Sequence, residues 1–145
     1  KLAKNPFIIV GGSGWSSEAA ENLGKFAKSM GIPVGTSFRC QDYLDNRHPN
    51  YVGDVGIGIN PALLKRITLA DCVLVLNARL GEMTTGGYSM FDIPKPRQYL
   101  IHIHPDPNEL GSVYQPDIGL VCNSAEFIKK ATGYKILNYF FFVKK

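Results

Sequence analysis

The sequence is poor in the residues from which disulfide-rich and zinc-binding proteins are built. Among 145 residues there are three cysteines, at wide spacing and without a C-x-x-C pair: Cys40, Cys72 and Cys122. This number and spacing argue against a disulfide framework and a zinc site, and they are typical of reduced thiols in the cytoplasm. We therefore expect a cytoplasmic protein whose cysteine side chains lie in or near the core.

Long apolar runs and basic clusters are also missing. The longest apolar run, residues 136–143, is far shorter than the roughly 20 residues of a membrane-spanning helix, and no signal peptide opens the chain. The net charge is +4, but the lysines and arginines are dispersed and cluster only at the two ends. We therefore expect neither a membrane nor a nucleic acid as a partner. The abrupt start at Lys1 is compatible with a piece of a longer protein.

Signatures of catalysis are absent as well. The sequence has no G-x-S-x-G elbow, no Walker loop and no pair of carboxylates in an apolar frame. His102 and His104 alternate on a predicted strand, but no third metal ligand has suitable spacing. His48 is interpreted as a turn or surface histidine. The residues by themselves therefore predict neither a catalytic group nor a metal site.

The feature that is present, and that organises the chain, is a glycine turn. A hydrophobic fraction of 45% and a charged fraction of 19% are those of a globular protein of one domain. Residues 7–17 read as a strand, a turn with Gly11, Gly12 and Gly14, and a helix start, an arrangement whose free N–H groups commonly bind phosphate. The dinucleotide fingerprint is incomplete, because Ser17 replaces its third glycine and no acidic residue ends the next strand. An ordinary strand-to-helix turn and a nucleotide loop are both open.

The rest of the chain alternates between strand and helix signals. Further strands are predicted at residues 32–36, 72–76, 99–103 and 118–122, with helices at 16–30, 62–69 and 125–131 and a loop at 41–59. This order predicts a parallel sheet covered on both faces. Because ligands bind at the carboxyl ends of such strands, Arg79 is well placed to meet a phosphate. The alternative is a surface arginine that pairs with a carboxylate such as Glu82.

Several short motifs occur in an order that resembles a known family. They are IIVGGSG at residues 8–14, GIPV at 31–34 with Thr36, HP at 48–49, Gly53 with Gly56, ADCVL at 70–74, ARL at 78–80, TTG at 84–86, and IH at 101–102 with DPNELG at 106–111. Over about residues 5–131 they resemble the central domain of thiamine-diphosphate-dependent enzymes of the acetolactate synthase type. The resemblance implies a three-layer, doubly wound, mainly parallel six-stranded α/β domain, Rossmann-like, over residues 1–133. Residues 134–145 would be a tail or linker of unknown role.

The resemblance also implies a division of labour within a longer enzyme. Thiamine diphosphate and Mg²⁺ would be held by flanking domains, which carry the activating glutamate and the metal-binding GDG motif of the family. The parent would condense or decarboxylate 2-oxo acids such as pyruvate, as a homo-oligomer, and this segment alone would be inactive. In the family, the central domain carries FAD in acetolactate synthases, an adenine nucleotide in some relatives and nothing in others. Contact with the flanking domains and the holding of FAD or ADP are therefore the implied roles.

Site residues are implied by position in the family pattern. Gly11, Gly12 and Ser13 would face a pyrophosphate, Thr36, Ser37 and Phe38 would line the flavin side, Arg79 would approach the nucleotide, and the set is completed by Gly56, Ala78 and His104. Four departures count against FAD: Gly58 replaces a histidine, Gly81-Glu82-Met83 replaces Asp-Asp-Arg, His104 replaces the acidic residue at the adenosine ribose, and Asn123 replaces an aspartate.

Two other functions compete with this one. The first is a stand-alone module that binds an adenine nucleotide without chemistry. The second is a sirtuin-like deacylase, which needs a zinc cysteine quartet that the sequence does not contain.

Overall fold

The computed structural model describes residues 3–133, which form one parallel sheet with helices. Its strands are β1 (Pro6–Val10), β2 (Val34–Thr36), β3 (Tyr51–Asp54), β4 (Cys72–Leu76), β5 (Tyr99–His104) and β6 (Ile118–Val121). Its helices are α1 (Ser17–Met30), α2 (Pro61–Thr68) and α3 (Ser124–Gly133), with two short 3-10 helices at Gln41–Tyr43 and Pro107–Glu109. The tail predicted for residues 134–145 lies outside the described residues.

The six strands are arranged in the order β3-β2-β1-β4-β5-β6, and every pairing is parallel. Val10, at the end of β1, is in register with Thr36 on one side and with Leu76 on the other. The chain therefore winds outward in both directions from the junction of β1 and β4, which is the topological switch point of the sheet. This confirms the expected three-layer, doubly wound α/β fold.

Strand β3 was missed by pattern reading, which predicted a loop over residues 41–59. Its residues Tyr51–Asp54 are only half-buried, because β3 is the edge strand and pairs with β2 alone. Gly53 has a φ of +116°, and the pairing with β2 contains a register shift, so the strand-favouring residues Tyr51 and Val52 are not followed by an apolar alternation that would mark the segment. The family resemblance, which implied six strands, was correct where local sequence was not.

The two faces of the sheet carry separate apolar clusters. Ile8 and Val10 of β1 pack towards α1 and α3, whereas Phe7 and Ile9 pack towards α2, and none of the four is more than 1% exposed. Such a strand, buried on both faces, reads as a continuous apolar run rather than an alternating one. Between β4 and β5 the α2 face is covered by irregular backbone with side chains such as Phe91. The two apolar clusters thus hold the strands from both faces and support the edge of the sheet at which the strands end.

The predicted helix ends are confirmed with small shifts. The Ser16 side chain accepts a hydrogen bond from the Ala19 N–H at 3.2 Å, and Gly31, with a φ of +64°, ends α1. Asn123 accepts the Ala125 N–H at 2.8 Å, and α3 runs to Gly133 rather than ending at residue 131.

The cysteines occupy the expected places. Cys72 is fully buried, Cys40 is buried and Cys122 is half-buried. Burial raises the pKa of the Cys72 thiol to about 12, so it stays protonated as a core residue at neutral pH. No helix within residues 3–133 is long and apolar enough to cross a membrane.

Candidate functional site at the carboxyl edge of the sheet

The residues implied as site residues all lie where strands end at one edge of the sheet. The turn after β1 holds Gly11, Gly12 and Ser13; the end of β2 holds Thr36, Ser37 and Phe38; Gly56 follows β3, Ala78 and Arg79 follow β4, and His104 ends β5. Because the strands are parallel and their carboxyl ends share one edge, residues far apart in sequence meet there. Whether they bind a ligand is a separate question from this placement.

The glycine turn touches its neighbours through backbone. The Gly11 N–H donates to the Leu76 carbonyl at 3.0 Å, and a Cβ on Gly11 would overlap the Ser37 hydroxyl and lie 3.0 Å from the Ala78 Cβ. Gly12 has a φ of +71°, and a Cβ there would overlap the carbonyl oxygen of Asn77. The ends of β1, β2 and β4 therefore approach so closely that only glycine fits at the turn.

The carbonyl oxygens of Gly11, Gly12 and Ser13 each accept a hydrogen bond from a side chain. Gly11 O accepts the Trp15 indole N–H at 2.9 Å, Gly12 O accepts the Tyr43 hydroxyl at 2.6 Å, and Ser13 O accepts the Asn77 amide at 2.9 Å. By contrast, the N–H groups of Gly12, Ser13 and Gly14 donate to no other residue in the described range, and these three residues are exposed. A run of free N–H groups with bonded carbonyls is suited to an anion.

Asn77 cross-links the glycine turn to the start of α3, and it was not among the predicted site residues. It is 1% exposed and has a φ of +54°, a conformation that asparagine tolerates better than most residues. Its Nδ2 donates to Ser13 O, and its Oδ1 accepts the N–H of Ser124, the first residue of α3, at 3.1 Å. The only sequence signal was an asparagine directly after a buried strand.

Arg79 pairs with a different carboxylate from the one that the sequence suggested. Its Nε lies 2.7 Å from Glu109 Oε1, in the short helix after β5, and not against Glu82. The Arg79 side chain is 74% exposed, whereas that of Glu109 is 17% exposed. Since Glu109 engages Nε, the two terminal nitrogens of the guanidinium are left for a further acceptor. Glu109 lies within the DPNELG motif, but its partner could not be read from it.

The end of β2 offers less open surface than its sequence implied. Thr36 is fully buried and its hydroxyl lies 3.4 Å from that of Tyr51, while Ser37 is 6% exposed. Phe38, at 36% exposed, is the open side chain of the three, and the Arg39 guanidinium lies 5.2 Å from its ring centroid. A ligand at this edge would therefore meet Phe38 and backbone rather than the hydroxyls.

An acidic side chain does lie beside the end of β2, in the neighbouring strand. Asp54 is in register with Thr36, and its Oδ2 accepts a hydrogen bond from Gln41 at 2.9 Å. Its Oδ1 is buried and has no hydrogen-bond partner among the described residues. The residues at the end of β2 gave no indication of this carboxylate, because Asp54 belongs to β3, which the local sequence pattern did not predict.

The two histidines of β5 point to the same face, as their alternation predicted. Their ring centroids are 5.9 Å apart. His104 Nδ1 lies 3.1 Å from the Asp106 N and 3.2 Å from the Asp106 O, so it accepts from the N–H in one tautomer and donates to the carbonyl in the other, and Nε2 takes the opposite role. His102 is 2% exposed, and its Nε2 lies 3.0 Å from the Ala78 carbonyl, to which it donates. The described residues contain no group of three metal-binding side chains.

Burial of His102 gives a pH dependence of stability. Burial lowers the pKa of His102 from its ordinary value of 6.5, aided by the nearby His104, while the Ala78 bond and Glu109 act in the opposite direction. The unfolded chain therefore binds more protons than the folded chain below about pH 6.5, and stability falls as the pH falls through that range. We expect urea titrations from pH 7.5 to about pH 5 to show this loss. The variant His102→Gln, which keeps a donor for Ala78, should flatten the dependence, and an unchanged slope would contradict the assignment.

Comparison with known proteins places this geometry in a family. The family model described as thiamine pyrophosphate enzyme, central domain, matches residues 1–131. The sulfoacetaldehyde acetyltransferase of Alcaligenes xylosoxydans xylosoxydans is 31% identical over 120 residues, which are 83% of this chain and 20% of that protein. The acetolactate synthase large subunit of Corynebacterium glutamicum is 27% identical over 128 residues, 88% of this chain and 20% of that protein.

A third relative also carries the name of an acetolactate synthase subunit. The probable acetolactate synthase large subunit of Methanocaldococcus jannaschii is 28% identical over 127 residues, 88% of this chain and 21% of that protein. The chain thus spans about a fifth of the length of the curated relatives that it matches. The sheet order, the glycine turn at its switch point and the match over residues 1–131 agree, and the chain belongs to the family of thiamine pyrophosphate enzyme central domains.

Proposed function

We propose that this chain is the central, non-catalytic part of a larger thiamine-diphosphate-dependent enzyme that condenses or decarboxylates 2-oxo acids such as pyruvate. The family match and the names of the relatives, acetolactate synthases and sulfoacetaldehyde acetyltransferases, support an acyl-transferring or carboligating parent. Thiamine diphosphate and Mg²⁺ would be held by the flanking domains, which would supply the chemistry. The role of this segment would then be structural, as a partner of those domains and of other subunits.

Exposed apolar side chains support the partner role. Ile57 is 65% exposed and Met83 is 45% exposed, and both lie in loops at the carboxyl edge. The two loops are in contact, because a Cβ on Gly56 would lie 2.6 Å from the Met83 carbonyl oxygen. Large contiguous apolar patches mark interaction surfaces, and these two side chains would belong to such a patch only together with the partner that covers them. In the proposed parent, they would pack against a flanking domain or a second subunit.

The same edge is proposed to hold the diphosphate of an adenine nucleotide, ADP or FAD. The observation that carries this proposal is the glycine turn, whose carbonyls are bonded while its N–H groups are free and exposed. The N–H groups of Gly12 and Ser13 would donate to phosphate oxygens, and the terminal nitrogens of Arg79 would add positive charge. Bound nucleotide would supply no chemistry to the reaction and would stabilise the folded edge by mass action.

The residues that would surround the nucleoside part of the ligand are less specific for it than the glycine turn is for a diphosphate. His104 presents Nε2 where a carboxylate would accept from a ribose hydroxyl, and a hydroxyl can either donate to this nitrogen or accept from it, according to the tautomer. Gly58 has no neighbour within 4 Å of an added Cβ, so this position leaves open space where the FAD-binding pattern has a histidine. The residues therefore fit a diphosphate and leave the choice between ADP and FAD to the binding experiment.

Titration of the chain with ADP and with FAD tests the nucleotide proposal. Calorimetry would give the affinity, and the absorbance spectrum of the purified protein would show any flavin retained from the cell. Trp15, the single tryptophan, donates to Gly11 O, so its fluorescence should change when the turn is occupied. Absence of binding to both nucleotides at millimolar concentration would overturn this part of the proposal. A coding region without thiamine domains on either side would overturn the parent enzyme and favour a stand-alone nucleotide module.

Arg79 provides a variant with a matched control. Replacing Arg79 by alanine removes the charged donor beside the turn, and we expect ADP affinity to fall about tenfold, the low end of the range for charge-assisted hydrogen bonds because the site is exposed. Arg97 is the control, because it is equally exposed and also pairs a carboxylate, Asp92, through Nε at 2.8 Å, but lies before β5 at the opposite edge. Arg97→Ala should leave the affinity unchanged, and equal losses in both variants would contradict a local role for Arg79.

A further inference from the structure

Two aromatic side chains cover one side of the glycine turn. Trp15 and Tyr43 stack with ring centroids 5.5 Å apart and an interplanar angle of 25°. The Trp15 indole N–H donates to Gly11 O at 2.9 Å, and the Tyr43 hydroxyl donates to Gly12 O at 2.6 Å. Tyr43 reaches the turn from the short helix that follows β2, and the Tyr43 N–H bonds back to Cys40 O at 3.2 Å. One stacked pair therefore holds two consecutive peptide carbonyls.

The planarity of the peptide bond lets these two hydrogen bonds fix the directions of the Gly12 and Ser13 N–H groups. In a planar trans peptide, the C=O of one residue and the N–H of the next point in opposite directions. Since Gly11 C=O points at Trp15, the N–H of Gly12 points away from it. Since Gly12 C=O points at Tyr43, the N–H of Ser13 points away from Tyr43. Because the two rings are stacked on one another, both N–H groups are directed away from the same aromatic pair.

We propose that Trp15 and Tyr43 are positioning residues, which orient the N–H groups of Gly12 and Ser13 as paired donors for a phosphate group. The inference rests on the proposed nucleotide site and adds the reason why its donors are preformed. Without the hydrogen bonds from Trp15 and Tyr43, each peptide could rotate and turn its carbonyl oxygen towards the ligand, where it would repel an anion. N–H donors that are already oriented before binding raise the affinity for the ligand, because less conformational freedom is lost on binding.

Tyr43 is a dependable donor for this purpose. Burial raises the pKa of its phenol, with Cys40 and Asp42 acting in the same direction, so the hydroxyl remains protonated at neutral pH. A phenylalanine at this position would keep the stacked ring and lose only the bond to Gly12 O. The substitution therefore separates orientation of the peptide from packing of the aromatic pair.

The test compares Tyr43→Phe with the wild-type chain, using inorganic pyrophosphate as the probe and ADP alongside it. We expect the Kd for pyrophosphate to rise about three- to tenfold in Tyr43→Phe, the range set by one hydrogen bond. In ¹H–¹⁵N spectra, the Gly12 and Ser13 amide signals should move on binding in the wild type, and should already be displaced in the free variant. Tyr99→Phe is the control, because Tyr99 begins β5 at the opposite edge and should change neither quantity.

Each outcome decides between the two proposals. Pyrophosphate binding weakened in Tyr43→Phe, with no binding of ADP or FAD to the wild type, would remove the nucleotide function and keep the positioning role. Wild-type affinity and unchanged Gly12 and Ser13 signals in Tyr43→Phe would overturn the positioning role whatever the nucleotides do. A wild-type chain that binds neither pyrophosphate nor nucleotide, with no movement of these amide signals, would overturn both.

Discussion

Replacing Gly12 by alanine is expected to lower the free energy of unfolding by about 3 kcal/mol or more. Two costs add at this position. The φ of +71° is left-handed, which costs a residue with a Cβ roughly 1–2 kcal/mol. The new Cβ would also overlap the Asn77 carbonyl oxygen and lie 3.0 Å from its carbon, so the backbone at Asn77, directly after β4, or that of the turn must move. Backbone yields less readily than the end of a flexible side chain.

Gly58→Ala separates the two costs. Gly58 has nearly the same φ, +72°, but no atom lies within 4 Å of an added Cβ. This variant should therefore lose only the left-handed term, about 1–2 kcal/mol. Urea unfolding of both variants at one pH gives the comparison, and the difference between them measures the close approach of β1 and β4. Equal losses in Gly12→Ala and Gly58→Ala would mean that the approach of the Asn77 carbonyl has no energetic consequence.

Asn77→Ala is the second substitution with a large expected effect, also about 3 kcal/mol. The Ser124 N–H is buried and would lose its acceptor, which costs roughly 1–3 kcal/mol for an unsatisfied group. The Ser13 carbonyl would lose its donor as well, although Ser13 is exposed and water can replace the amide. Alanine would further be less tolerant than asparagine of the φ of +54°.

Asn77→Gly is the matched control for backbone strain. It removes the same two side-chain hydrogen bonds but adopts the left-handed conformation without a Cβ penalty. We expect its loss of stability to be smaller than that of Asn77→Ala by about 1 kcal/mol, with most of the effect retained. If Asn77→Gly were as stable as the wild type, the cross-link between the glycine turn and α3 would contribute nothing. Thermal or urea unfolding of the two variants side by side measures both terms.

Features encoded within one segment could be predicted from the sequence. The apolar run 72–76 predicted a central strand, and β4 is buried at every residue. The starts of the helices are local in the same way, because the caps at Ser16, Asn60 and Asn123 each bond an N–H only two or three residues away. The order of these segments was sufficient for a parallel sheet covered on both faces, and the family resemblance added the doubly wound, six-stranded arrangement.

Features that depend on distant segments could not be predicted in the same way. Strand β3 is stabilised by pairing with β2 rather than by its own residues, and its half-buried pattern is unlike that of the central strands. The pairing of Arg79 with Glu109 instead of Glu82 joins the ends of β4 and β5. Glu82, the example that the sequence offered for such a pair, is not the partner, because the ends of β4 and β5 meet only when the sheet has formed.

By itself, the sequence determined the fold class, the central strands, the helix ends and the glycine turn, because hydrophobic burial and capping act over short spans of chain. Only the tertiary structure decided how that turn is used. Its carbonyls are bonded by Trp15, Tyr43 and Asn77, which come from the turn itself, the short helix that follows β2 and the end of β4. A peptide N–H becomes a ligand donor only when the opposite side of the peptide is satisfied, and those partners are brought together by the parallel order of the strands.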